Sequence, residues 1–355
     1  MRKSAIRAFY RISKLVGLFH VARLLTRRKL RILCYHGFVL EDEDQFRSSL
    51  FMRPDAFEDR MRSLRNKKFP ILSFDEALSR LRADTLPPNS VTITIDDGFY
   101  SAYAVALDVL RKYDVPATLY LTSYYFLKGT PIFELVVNYM CWKSANDTVD
   151  LSGLGIPGFD QTPNHDFNPH NRQAICEDLL AYGTSALDEP GRIALCCGIA
   201  DRMGVDYGRI VESRILSLVS PDELVAMQRA GVSVGLHTHR HHFPRDRDLA
   251  RSEIEDNRAA VEPVIGETLV DFCYPMGEWS TTHWPILKDN GVKSATTGDS
   301  GLADRDTARF GLPRILDSNQ VAAIEWEAEI FGFTEILRRL RFQRPPRARA
   351  ADSLD

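Results

Sequence analysis

Residues 89–98 read N-S-V-T-I-T-I-D-D-G. Val91, Ile93 and Ile95 fall on one side of an extended chain and Thr92 and Thr94 on the other, a strand pattern. The strand runs without a break into two carboxylates and a glycine. A glycine there lets the backbone turn sharply, so that one acid can reach a cation while the other stays close to it. D-D-G is also a common turn, so the motif gains meaning only from its surroundings.

Outward from this stretch the chain alternates. Upstream, Arg31–Tyr35 (R-I-L-C-Y) reads as a buried strand ending in His36 and Gly37, and helices are expected over 57–66 and 74–81. Downstream come a helix over 102–113 and a strand at Ala117–Leu121. The rhythm breaks between residues 129 and 219, where 151–170 is rich in Gly, Pro, Asn and Asp and helical pieces are expected around 132–142, 172–182 and 209–217. It resumes with a helix over 221–230 capped by Ser220, a strand at Val232–Leu236, a helix over 248–265 and a strand over 269–274. A helix over 282–290 and strands near 293–297 and 311–316 complete the set. Strand–helix alternation of this kind predicts an α/β fold, a distorted (β/α) barrel of about seven strands with a helical and loop insertion. The expected organisation is a basic amphipathic N-terminal helix over 1–30, a barrel over 31–318 with its insertion at about 129–219, and a C-terminal segment 319–355. That last segment comprises a helix over 321–340 and a disordered tail.

Composition narrows the function. Of 45 Lys and Arg, ten fall within residues 1–31, where there is no acid, which leaves 35 basic groups against 48 acidic ones in the rest. Such a body does not attract nucleic acid. None of Cys34, Cys141, Cys176, Cys196, Cys197 and Cys273 forms a C-x-x-C pair, and reduced, mostly buried thiols are expected. No signal peptide is recognised in the first 31 residues, and no segment reaches the roughly 20 apolar residues of a spanning helix. A cytoplasmic location, with peripheral contact at the inner membrane face, is the expectation. That contact is suggested by a helical wheel of residues 1–20. Lys3, Arg7, Arg11 and Lys14 share one face, and Ala5, Phe9, Ile12, Val16 and Phe19 the other. Two readings stand: a helix on an anionic membrane, held through its basic face, or one packed on the barrel with its basic side in solvent.

The second chemical constellation is G-L-H-T-H-R-H-H (235–242), directly after a strand, where four of the nine histidines fall within six residues. Histidine is the commonest metal ligand, and two imidazoles with one carboxylate leave open positions on zinc for water and substrate. Spacing alone does not fix which pair binds; the i, i+4 pair His237 and His241 is our choice.

At this point the chain resembles the NodB-homology polysaccharide deacetylases, carbohydrate esterase family four. The motifs are I-T-I-D-D-G (93–98), G-L-H-T-H-R-H (235–241) and F-C-Y-P-M-G (272–277), with I-L-C-Y-H-G (32–37), D-V-P-A-T-L-Y (114–120) and G-V-K-S-A-T-T-G (291–298) around them. The resemblance covers about 31–128 and 218–316. It implies that Asp97, His237 and His241 hold one divalent ion, zinc first, with cobalt, nickel or manganese as alternatives. It further implies that Asp96 is the general base and that a backbone N–H in the turn of Tyr274, Pro275 and Met276 steadies the oxyanion.

Two features depart from the commoner pattern. The Arg that usually orients the base is replaced near Phe272 and Cys273, and the final Leu-x-His motif gives way to L-P-R-I (312–315). Together these look like the exopolysaccharide-associated branch, in which Arg314 would orient the base. The general acid must then come from elsewhere. His36 is the natural candidate, because it ends the first strand and the first and last strands of a closed barrel are neighbours. His242 and His283 are the alternatives, with a surface position expected for His283.

The expected activity is removal of N-acetyl groups from amino sugars of a surface polysaccharide or its precursor. The alternative enzyme reading is a deacylase or deformylase of a lipid-linked sugar at the cytoplasmic membrane face. A sugar-binding barrel without activity is the reading from another class, and the intact Asp96, Asp97, His237 and His241 speak against it.

Overall fold

Along the strands, side chains alternate between two environments, and that alternation decides what lines the barrel. The computed structural model describes residues 2–159 and 164–341. Seven parallel strands form a closed barrel: β1 (Arg31–Tyr35), β2 (Val91–Ile95), β3 (Ala117–Leu121), β4 (Val232–Leu236), β5 (Asp271–Cys273), β6 (Ser294–Ser300) and β7 (Leu312–Leu316). They follow one another around the barrel in chain order, and β7 closes it against β1 through Leu33↔Ile315 and Cys34↔Leu316. In β2, Val91, Ile93 and Ile95 belong to the main apolar core, together with Phe57 and Leu64 of the Pro54–Asn66 helix. Thr94 points the other way. Its hydroxyl donates to Leu33 O and accepts from Arg314 of β7, which lies across β1, so this face lines the barrel interior. Thr118 Oγ1 and Ser233 Oγ, 2.8 Å apart, continue the polar lining. Small hydroxyl side chains fill a narrow barrel while satisfying one another, and the apolar face is left for the surrounding helices.

The insertion is more helical than its composition suggests. Helices Phe133–Lys143, Arg172–Ala186, Glu189–Met203 and Tyr207–Ser213 pack together, and a two-stranded ladder pairs Thr148–Val149 with His165–Asp166. The Glu189–Met203 helix was not expected, and the piece expected at 209–217 lies at Tyr207–Ser213. The C-terminal helix expected over 321–340 is two helices, Ala323–Ile330 and Phe333–Arg341, broken at Gly332 with φ +75. A Cβ at Gly332 would lie 2.2 Å from Thr26 Oγ1, so the chain needs glycine where the N-terminal segment crosses it. The tail expected to be disordered lies outside the described residues. All six cysteines are unpaired; five are buried and Cys197 is exposed.

The N-terminal segment packs on the body of the protein, but its basic face is not wholly in solvent. Gly17, φ +81, breaks it into Arg2–Leu15 and Leu18–Leu25. Arg7 pairs with Glu325 at 3.2 Å and Lys14 with Glu327, so part of the basic face is turned inward onto the Ala323–Ile330 helix. Phe9, Ile12 and Val16 are exposed instead. No helix among the described residues is long and apolar enough to cross a membrane.

Candidate active site

The chemistry-bearing residues meet at the carboxyl ends of the strands, where barrel enzymes build their sites. Beyond β2 the backbone turns through Asp97, φ +70, and Gly98, φ +88. A Cβ at Gly98 would fall 2.2 Å from Leu121 Cδ1, so only glycine allows the turn to pack against β3. The turn sends the two carboxylates in different directions.

Asp96 turns into the barrel. Its Oδ1 and Oδ2 each accept from Arg314, Nη1 and Nη2 respectively, both at 2.7 Å. Arg314 is itself fixed by Nε donating to Thr297 O at 2.9 Å. Two thiols touch the same carboxylate, Cys273 Sγ at 3.3 Å and Cys34 Sγ at 3.5 Å from Oδ2. Burial alone would raise the Asp96 carboxyl, but the Arg314 guanidinium outweighs it and holds the group at about 2. Asp96 is therefore ionised throughout the neutral range.

Asp97 faces the histidine loop. Its Oδ1 lies 3.2 Å from both His237 Nε2 and His241 Nε2. Thr238 and His241 adopt φ +65 and +57, a tight local path that returns the second ring beside the first. His237 is buried, and its Nδ1 faces Cys273 O at 2.9 Å, which fixes the tautomer that leaves Nε2 free to bind. The loop is held by partners that sequence reasoning missed. Asn257 Oδ1 accepts from His237 N, and Asn257 Nδ2 donates to Leu121 O. His239, a rejected member of the cluster, rests its Nδ1 2.9 Å from Ser123 Oγ, while its carbonyl accepts from Tyr124 N. The readable signal was Glu253 and Asn257, two polar residues on the buried face of the Arg247–Ile265 helix.

The fit of a divalent ion can be tested on these atoms. With zinc–ligand bonds of about 2.0–2.1 Å, neighbouring ligands of a tetrahedral ion stand about 3.3 Å apart. The two carboxylate–imidazole separations of 3.2 Å meet that requirement. The donor set Asp97, His237 and His241 is also one of three groups among the described residues close enough to share an ion; the other two draw on Asp96 with Cys34 and His36, or with His237 and Cys273. Asp96 is committed to Arg314 on both oxygens, which leaves the Asp97 set as the better cradle.

The remaining sequence candidates divide. His36 reaches the same mouth, with Nε2 3.8 Å from Asp96 Oδ2. His242 is exposed. His283, expected at the surface, is buried against Phe243, with ring centroids 4.7 Å apart. In the Tyr274, Pro275 and Met276 turn, Tyr274 N donates to Thr296 O, and proline has no N–H. Met276, at φ 56 and exposed, holds the remaining donor of the three.

A closed parallel barrel with an acid–histidine cradle beside an arginine-locked carboxylate defines a class of barrel hydrolase, and sequence comparison gives the family. Residues 83–154 and 195–295, just under half of the chain, match the polysaccharide deacetylase family. The family is generally metal-dependent. No curated protein is significantly similar in sequence. Among solved structures, the deacetylase PplD of Streptococcus pyogenes in complex with acetate is 18% identical, TM-score 0.57, with 86% of this chain and 99% of that one covered. IcaB from Ammonifex degensii is 17% identical, TM-score 0.53, covering 85% and 97%. A de-N-acetylase from Aggregatibacter actinomycetemcomitans is 12% identical, TM-score 0.52, covering 84% and 98%. At these identities the likeness is one of fold.

Proposed function

We propose that the protein is a metal-dependent N-deacetylase of amino sugars, acting on a surface polysaccharide or its precursor. The observation that carries the reading is the pair of neighbouring carboxylates with opposite commitments: Asp97 aimed at two imidazoles, Asp96 locked by Arg314. Asp97, His237 and His241 would hold the ion, zinc first, with cobalt, nickel or manganese as alternatives. When bound, a divalent ion lowers the pKa of a water and polarises the acetyl carbonyl.

The chain's own residues do the rest. Asp96 accepts the proton of the attacking water, and Arg314 keeps that carboxylate ionised and fixed in orientation. The Met276 N–H donates to the developing oxyanion. As the C–N bond breaks, His36 gives its proton to the departing amine, so acetate and a free amino sugar leave. Cys273 stands where the commoner pattern has an arginine, and Arg314 reaches the same carboxylate from β7.

A second reading, deacylation or deformylation of a lipid-linked sugar at the cytoplasmic membrane face, is favoured by the apolar side chains exposed on the N-terminal helices. The inert sugar-binding barrel is disfavoured by the complete set of ligands and base.

The test is acetate release from N-acetylated oligosaccharides and from lipid-linked sugars by metal-loaded protein. Asp96→Asn should keep its metal and lose about 10²–10⁴-fold in turnover, the worth of a general base. His237→Ala should lose the metal by elemental analysis. Near-normal turnover in the first variant, or unchanged metal content in the second, sinks the assignment.

A further inference from the structure

Nine of the fifteen large apolar side chains exposed among the described residues fall between residues 6 and 25. They are not scattered. Ile6, Phe9 and Ile12 form one stripe along Arg2–Leu15 that Val16 continues just past its end, and Leu18, Val21, Leu24 and Leu25 another along Leu18–Leu25, each at helical spacing. Val16 is 66% and Leu25 71% exposed. A concentration of this kind marks a surface that meets an apolar partner. The same segment contains no acid. Arg11, Arg27 and Arg28 are exposed, and their side chains make no hydrogen bond or ion pair among the described residues.

We infer that the two N-terminal helices form a docking surface for an anionic lipid bilayer, lying in the interface with their apolar stripes down and Arg27 and Arg28 toward the headgroups. The inference sharpens the lipid-linked reading above and rests on it for its biological purpose. The helices, of 14 and 8 residues, span about 21 and 12 Å, too short to cross a membrane but long enough to lie within its surface. Charge decides among occupants. A second copy of the chain would bring one acid-free basic face against another, and like charges would repel. An anionic surface instead neutralises the free cations while it takes up the apolar stripes. The docking mode also reverses the expectation drawn from the helical wheel. Arg7 and Lys14 are spent on Glu325 and Glu327, so the apolar face carries the contact and Arg27 and Arg28 flank it.

The experiment uses the full chain in flotation with vesicles of phosphatidylcholine alone and of phosphatidylcholine with phosphatidylglycerol. The protein should float with the mixed vesicles. Ile12→Glu/Val16→Glu and Leu24→Glu/Leu25→Glu alter exposed positions that the fold does not need, and should lower partitioning more than about ten-fold. Arg27→Gln and Arg28→Gln should each lower it roughly five-fold and weaken the salt dependence. Acetate release from a soluble N-acetylated oligosaccharide should be the same in all of them, which separates failure of docking from failure of the catalytic reading. Three results overturn the inference: no flotation of the wild type, wild-type flotation by the glutamate variants, or vesicle-free dimerisation that those variants abolish.

Discussion

The barrel mouth and the N-terminal helices treat charge in opposite ways. At the mouth, Asp96 and Arg314 are both buried, and each finds its counter-charge inside the protein. On the helices, two of the cations turn toward the body while most of the large apolar side chains, Phe19 excepted, face outward. A buried, fully partnered charge pair is costly to disturb and fixes geometry, as a reacting centre requires. An exposed apolar surface, by contrast, is completed only by something external. The molecule is thus rigid at the proposed reacting centre and left open at the proposed docking surface.

The sharpest way to break the contrast is Arg314→Gln. Removing one partner of a buried pair leaves an uncompensated charge and should cost about 3–5 kcal/mol. The sign with pH is specific. With Arg314 present, the folded Asp96 carboxyl sits at about 2, below its unfolded value, so its stabilisation is present at neutral pH and lost as pH falls through about 2. Without Arg314, burial pushes that carboxyl up, and the ionised form then opposes folding at neutral pH. The variant should be most destabilised near neutrality, recover part of the deficit as the pH is lowered, and show the acid limb of turnover displaced upward. Denaturant melts across pH check this; a deficit that does not change with pH would mean that Arg314 supports the fold by packing alone.

The contrast also explains what could be read from the sequence. The mouth was legible because most of its residues directly follow a strand, Asp96 after β2, His237 after β4 and His36 after β1, while Arg314 lies within β7. Period-two patterns locate strands, and strand ends locate the site. The partners of those residues were less visible. Nothing local to Cys34 or Cys273 signals that both thiols touch Asp96, since that contact depends on barrel closure. The insertion hid its Glu189–Met203 helix because Gly198 sits inside it, facing Leu154, where a Cβ would meet Cδ2 at 2.5 Å. Glycine lowers helix propensity, and here close packing requires it. Gly183, in the Arg172–Ala186 helix, meets the Phe133 ring in the same way. The inward turn of Arg7 and Lys14 was unreadable for another reason. A helical wheel reports which residues share a face, but the direction of that face is set by Glu325 and Glu327, more than 300 residues away.

A smaller effect tests the division of labour within the mouth. If His36 donates the proton to the leaving amine, His36→Ala should lower turnover on an N-acetyl sugar by about 10²-fold, the lower end of general-acid contributions. The same variant should hydrolyse p-nitrophenyl acetate at close to the wild-type rate, because that leaving group departs without a proton. A loss shared equally by both substrates would instead make His36 a residue that shapes Asp96, from which its Nε2 stands 3.8 Å. Metal content should be unchanged in either case.

The smallest effect belongs to the N-terminal helices. Arg7–Glu325 at 3.2 Å and Lys67–Glu327 at 3.2 Å, with Lys14 also on Glu327, are partly exposed pairs, and such pairs contribute about 0–1 kcal/mol each. Glu325→Gln retains an amide oxygen that can still accept from Ala322 N, so the substitution removes charge without removing the helix cap. The Glu325→Gln/Glu327→Gln double variant should therefore lose only about 1 kcal/mol or slightly more, with a deficit that shrinks as salt rises. Phe19 is the contrasting anchor. It is 1% exposed and packs on Phe333 with ring centroids 5.1 Å apart, so Phe19→Ala should cost about 3–5 kcal/mol and show little salt dependence. Limited proteolysis near Gly17, read beside the melts, would report whether the helices come away before the barrel unfolds. If the charge variant released the helices more readily than Phe19→Ala, the inward-facing cations would be the principal anchor, and the apolar contacts at Phe19 and Ala22 secondary.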